Sequence, residues 1–198
     1  MLCGMSEIEE LRAKWDGRYA AALTGDIQAS EVLADNLHLL PTCGDALDLA
    51  CGLGANALLL AGRGLRTHAW DLSPVAIERL RDRAGALPLR AEVRDVMARP
   101  PEPASFDVIC VGSFLERALC PSIAAALKPG GVLFYQTWSL ERVDDSGPGT
   151  PGFRLATNEL LALFRGLIVR FYRDEGVLGD AHRGFRNRAQ FVAQRPLA

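Results

Sequence analysis

The chain has 198 residues, 49% of them apolar by a broad count and 23% charged, with a formal net charge of -2 at pH 7. That length supplies one domain with a full hydrophobic core, and the near-neutral balance gives no electrostatic case for a nucleic-acid partner. The five cysteines form no CxxC pair, which argues against a disulfide framework or a closed zinc site, so no metal is expected and a reducing, cytoplasmic setting is. No apolar run reaches the length of a membrane span, and the start lacks the apolar core of a signal peptide; no membrane association is expected.

Residues 6–18 read as an amphipathic helix, with Ser6 as cap, Glu9 completing a capping box, and Ile8, Leu11 and Trp15 at helical spacing. Residues 29–39 read as a second helix, ended by Pro41. Strand and helix then alternate. Residues 46–49 are a first strand and residues 56–61 lie in the helix after it. Residues 66–70 are a second strand. Ser73-Pro74 opens the next helix as cap and first helical residue, and that helix turns Ile77 and Leu80 inward. Residues 88–93 are a third strand, the proline-rich residues 97–104 a loop, and the apolar residues 106–111 a fourth strand buried on both faces. Residues 115–127 form a helix stopped by Pro129-Gly130-Gly131. Residues 132–137 are a fifth strand and residues 144–152 a loop over the strand ends. Residues 157–164 are a helix capped by Thr157, and residues 167–172 and 188–193 are the last two strands. This order predicts an α/β fold: a doubly wound, Rossmann-like, seven-stranded and mostly parallel sheet, its last strand antiparallel, with helices on both faces. Right-handed crossovers bring Asp48, Asp71, Asp95, Val111 and Thr137 to one edge.

The chemistry concentrates at that edge. After the first strand, Asp48 is followed by Ala50-Cys51-Gly52-Leu53-Gly54 and a helix. Gly52 and Gly54 let the backbone turn and approach a ligand, and the helix start presents free N–H groups. An acid behind that turn suits an ammonium group better than a pyrophosphate; a plain helix-capping turn is the alternative. Asp71, ending the second strand, can take both hydroxyls of a ribose; the alternative role, capping the next helix, already falls to Ser73. Asp95 is placed to accept from an adenine amino group, or else is a surface loop acid, and Leu72 and Val96 could wall the ring.

With these residues the chain resembles the class I S-adenosylmethionine-dependent methyltransferases over residues 10–195. The resemblance rests on the turn after the first strand, Asp71, the Arg94-Asp95 pair, and Pro129-Gly130-Gly131 before the fifth strand. It is nearest to the tellurite-resistance and thiopurine-methyltransferase-like branch, through Trp15-Asp16-Gly17-Arg18-Tyr19, Asp48-Leu49-Ala50-Cys51-Gly52 with Asn56-Ala57, and Phe114-Leu115-Glu116-Arg117. Two departures stand out: Ala50 replaces the first glycine of the motif, and Ala55 stands where relatives often carry arginine.

The resemblance implies one methyltransferase domain over residues 1–198, with residues 1–42 as a helical cap over the cofactor site and residues 43–198 as the α/β core. It implies S-adenosyl-L-methionine as cofactor and S-adenosyl-L-homocysteine as product. The residues implied to hold it are Trp15, Arg18, Asp48, Ala50, Cys51, Gly52, Gly54, Asn56, Asp71, Leu72, Ser73, Arg94, Asp95, Val96 and Val111. Arg18 would meet the carboxylate of the methionine end, and Trp15 would shield the pocket or pack as core.

Methyl transfer from a sulfonium needs alignment more than acid–base help. Catalytic residues therefore stay unassigned, with Tyr19 and His182 as weak candidates and Trp138 and Phe114 as lining. Strand four is followed by Gly112-Ser113-Phe114, without the Pro-Pro tetrapeptide of many adenine and glutamine N-methyltransferases. A small-molecule acceptor is therefore expected, on a monomer or weak dimer. The competing readings are a non-catalytic S-adenosylmethionine-binding regulatory protein and a nicotinamide-dependent oxidoreductase. The latter normally carries its glycine fingerprint within the first thirty residues.

Overall fold

Alternating inward positions on the central strands build a core on each face of the sheet. The computed structural model describes residues 6–22 and 27–197; Cys3 lies outside them. The strands are β1 (Asp45–Leu49), β2 (Arg66–Asp71), β3 (Leu89–Val93), β4 (Phe106–Gly112), β5 (Leu127–Trp138), β6 (Ile168–Arg173) and β7 (Arg188–Gln194). They form one sheet in the order β3-β2-β1-β4-β5-β7-β6. Neighbours from β3 to β5 pair in parallel, and β7 runs antiparallel between β5 and β6. The expected mostly parallel sheet with an antiparallel last strand is found.

The helices are α1 (Glu7–Ala21), α2 (Glu31–Ala34), α3 (Ala55–Gly62), α4 (Pro74–Ala84), α5 (Cys120–Ala126) and α6 (Glu159–Leu163). On one face, Leu47, Leu49, Ile109, Val111, Leu133, Tyr135 and Phe191 pack against Ile123 of α5 and Leu160 of α6. On the other, Ala46, Val108, Cys110, Phe134 and Val192 pack against Val32 and Leu33 of α2 and Leu60 of α3. Beside them Ala69 and Ala91 meet Ala57 of α3 and Ile77 and Leu80 of α4. Burial on both faces is the force that holds the strand tips in one line.

The expected capping box is present: the Ser6 hydroxyl accepts from Glu9 N, and the Glu9 carboxylate accepts from Ser6 N at 2.8 Å. The helix runs three residues further than its periodicity predicts, and no residue of it is fully buried. The expected apolar face is not buried: Ile8 and Leu11 are exposed, Trp15 is half-buried, and the helix packs on α4.

Four further boundaries differ from expectation. The helix over 29–39 divides into α2 and a 3-10 turn at Leu37–Leu39. The Asn36 side chain bonds back to Val32 O at 3.0 Å, which ends the helix there. The helix over 115–127 shrinks to a 3-10 turn at Arg117–Leu119 and α5, because Pro121 fits only its first turn. Pro129-Gly130-Gly131 does not interrupt but belongs to β5. A Cβ on Gly131 would stand 2.9 Å from Lys128 O and 3.0 Å from Phe106 O, so only glycine lets the chain fold this closely on β4. The cap of α6 is Asn158, in left-handed conformation; the Thr157 hydroxyl instead donates to Glu141.

Candidate active site

Three left-handed residues shape the turn after β1: Ala50 (φ 54), Gly52 (φ 52) and Gly54 (φ 78). Ala50, where the resemblance expects glycine, keeps glycine's conformation at a cost of about 1–2 kcal/mol. Cys51 N donates to Trp70 O at 2.9 Å and Gly54 N to Cys51 O at 2.9 Å, tying the turn to β2. The two glycines serve different neighbours. A Cβ on Gly54 would meet Leu80 at 2.3 Å, so this glycine admits α4. A Cβ on Gly52 would stand 3.0 Å from the Tyr19 hydroxyl, so this glycine admits α1.

Asp71 is buried at the tip of β2. Its Oδ2 accepts from Gly52 N at 2.8 Å and its Oδ1 from Ser73 N at 2.9 Å. Burial, offset by those N–H groups, raises its pKa. Asp48 is fully enclosed beneath the turn. Its Oδ2 accepts from Ala57 N at 3.0 Å and its Oδ1 from the Asn56 amide at 3.5 Å. Burial pushes its carboxyl up to about 8, with the charge of Asp71 adding to the shift. Asp48 therefore reaches the outside through Asn56 and the first turn of α3. Asp95 is half-buried, and its Oδ1 accepts from Met97 N at 2.9 Å and Ala98 N at 3.3 Å.

The N-terminal segment closes over this edge. Trp15 and Tyr19 stack at 5.6 Å, with the Arg18 guanidinium 5.3 Å from the Trp15 ring centre. Trp15 is half-buried and Arg18 exposed. Burial, with the nearby charges of Asp71 and Cys51, pushes the Tyr19 phenol well above its usual range. Arg79 of α4 clamps the end of α1, donating to Tyr19 O and, at 2.9 Å, to Ala22 O. Ser73, the cap of α4, donates to Asp16 and accepts from Ala76 N at 3.1 Å. Further on, Ser30 N and Ser30 Oγ donate to Asn56 Oδ1 at 2.8 and 3.0 Å.

The structure thus brings Tyr19, Asp48, Cys51, Gly52, Gly54, Asn56, Asp71 and Ser73 together. Leu72 is half-buried beside them, while Val96 and Val111 are core side chains. The Arg94 side chain is a correction: it leaves the edge, lies 3.8 Å from the Trp70 ring centre, and donates to Arg99 O and Pro100 O. Cation–π attraction and two carbonyls hold it against the proline-rich loop. His182 is exposed in the loop between β6 and β7, its backbone N–H on Asp180. Sequence reasoning misses Asp16, Ser30 and Arg79 as site neighbours. Their partners lie 57, 26 and 60 residues away, and only the fold reveals such pairs.

Residues 46–131 match the family described as Methyltransferase domain. Hemagglutinin 1 of Eikenella corrodens is 38% identical over 94 residues, 43% of this chain and 31% of its own; the chain spans about a third of that curated relative. Among solved structures, the fold is shared with TehB from Haemophilus influenzae (TM-score 0.69, 19% identity, covering 91% of this chain and 67% of that one). It is also shared with geranyl diphosphate C-methyltransferase from Streptomyces coelicolor, solved with Mg2+, geranyl diphosphate and S-adenosyl-L-homocysteine (TM-score 0.68, 16% identity, covering 97% of this chain and 98% of that one). Residues 46–131 thus resemble a methyltransferase domain, and the chain shares its fold with solved methyltransferases.

Proposed function

We propose that this chain binds S-adenosyl-L-methionine at the tips of β1 and β2 and catalyses methyl transfer to a small-molecule acceptor, releasing S-adenosyl-L-homocysteine. The observation that carries this reading is Asp71. Each of its oxygens holds one backbone N–H, and a carboxylate has about four acceptor positions in all. The acceptor capacity beyond those N–H groups suits a ribose hydroxyl. When bound, the cofactor supplies an activated methyl group on a sulfonium. The chain's own part is to position and to exclude water.

In this reading Gly52 carries the turn against the nucleoside, and Asn56, oriented by Ser30 and Asp48, faces the amino-acid end. Leu72 and Asp95 flank the base, Val96 contributes from beneath, and Val111 contributes through its backbone at the tip of β4. Trp15, Arg18 and Tyr19 close the site from α1, with Arg18 answering the carboxylate. Residues 1–42 then act as a cap on one domain. The reading takes the chain as a cytoplasmic monomer or weak dimer that engages neither nucleic acid nor membrane. Among the described residues no helix is long and apolar enough to cross a membrane.

Calorimetric titration tests this. S-adenosylhomocysteine is expected to bind and NAD not to. Asp71→Ala orphans two N–H groups and removes the hydroxyl partner, a loss of about 1–3 kcal/mol or about 5- to 150-fold in affinity. No heat with either sulfur compound, or an unchanged constant in Asp71→Ala, would overturn it. Turnover of any acceptor in a product-coupled screen of thiols, metalloid oxyanions, amines and phenols separates the enzyme from a non-catalytic binder of the same cofactor.

A further inference from the structure

Beside the turn, a second group of polar residues gathers that the cofactor reading does not use. Gln136 and Gln190 are cross-strand partners on β5 and β7, and Trp138 and Arg188 are paired two positions further along β5. Both glutamines are buried, at 3% and 1% exposure. Gln136 Oε1 accepts from Val32 N at 2.9 Å and from Gln190 Nε2 at 3.1 Å, which fixes the amide orientation. Its Nε2 is thereby turned outward and donates to Glu31 Oε2 at 2.8 Å. Arg188 Nη1 reaches the same Oε2 at 3.4 Å, while its guanidinium lies 4.2 Å from the Trp138 ring centre. Both partners thus hold one oxygen. Glu31 Oε1 has no hydrogen-bond partner among the described residues, and 54% of the side chain is open.

An acid on a surface helix ordinarily swings freely, because a fixed rotamer costs entropy. Here two buried amides, themselves costly to enclose, aim a single carboxylate. Its location is equally specific. Ser30, the adjacent residue, is bonded to Asn56 at the cofactor turn, and Ser113 N donates to Gln136 O at 2.8 Å. Ser113 follows Gly112 at the tip of β4 in left-handed conformation (φ 55), a strained arrangement for serine. Glu31, Ser113 and the turn therefore share one corner of the sheet edge.

We propose that Glu31 is a specificity-determining residue of the acceptor subsite, selecting an acceptor that presents an amine to its outward oxygen. This rests on the methyl-transfer reading above. An ionised carboxylate is acceptor-only, so it rewards N–H donors, most of all charged ones, and repels anionic acceptors. Arg188 moderates the charge but leaves Oε1 without a partner among the described residues.

The test uses the full chain saturated with S-adenosylhomocysteine, with benzylamine and benzoate as matched probes in ligand-observed NMR titrations. The amine is expected to bind about tenfold or more tightly than the acid, and Glu31→Gln to erase that preference. Equal or tighter benzoate binding, no detectable benzylamine binding, or an unchanged preference in Glu31→Gln would each overturn the proposal. Absence of S-adenosylhomocysteine binding in the parent protein would instead reject the cofactor reading, and the acceptor role with it. Intact cofactor binding with no amine preference rejects the Glu31 subsite alone.

Discussion

Asp48 and Asp71 are both acids at strand tips, yet their surroundings give them different work. Asp71 holds two backbone N–H groups with acceptor capacity to spare, whereas Asp48 is sealed under the turn. The sign of its pH dependence follows. Its carboxyl is pushed from 3.8 up to about 8 by burial, so the folded chain keeps a proton that the unfolded chain releases. That group's contribution falls as pH rises from about 4 to about 8, and is flat above. Asp48→Asn keeps an oxygen for Ala57 N and removes the titration. Its melting temperature relative to the parent is expected to rise between pH 5 and pH 8, read by thermal denaturation; a constant difference across that range refutes the assignment. The sequence makes both acids visible as strand-tip acids, but only the structure shows that Asp48 is bonded to the first turn of α3 and Asp71 to the N–H groups of Gly52 and Ser73.

At the scale of elements, the turn and its two neighbouring helices form one unit. Gly54 faces Leu80 of α4, Gly52 faces Tyr19 of α1, and Arg79 fastens α1 back onto α4. Gly54→Ala would force a left-handed alanine and a Cβ 2.3 Å from Leu80, which side-chain movement only partly relieves. We expect a loss of about 2–4 kcal/mol in urea unfolding; a loss below half a kcal/mol would show that the helix simply moves aside. Capping residues and strand periodicity are local and read well: Ser6 with Glu9, and Ser73 with Pro74, sit where the sequence predicts. The misplaced boundaries at Asn36, Pro121 and Asn158 depend on side chains bonding to other turns or on a proline's allowed position, and apolar spacing carries neither signal.

For the whole molecule, ligand binding and stability are linked. A ligand that binds only the folded chain, present at about a hundred times its dissociation constant, adds about 2.7 kcal/mol. For a chain of this length that corresponds to about 5–10 °C in melting temperature. S-adenosylhomocysteine is expected to give this shift and NAD none, by differential scanning calorimetry; the reverse pattern would return the oxidoreductase reading. The alternation of apolar strands with helices determined by itself the sheet, its polarity and the edge where Asp48, Asp71 and Asp95 gather, because burial periodicity is written residue by residue. The tertiary structure alone decided which side chains serve that edge. It turned Arg94 away to Trp70, enclosed Asp48, and joined Glu31 to Gln136 across 105 residues. Such pairings are set by strand order and register, and no local spacing in the chain encodes the partner.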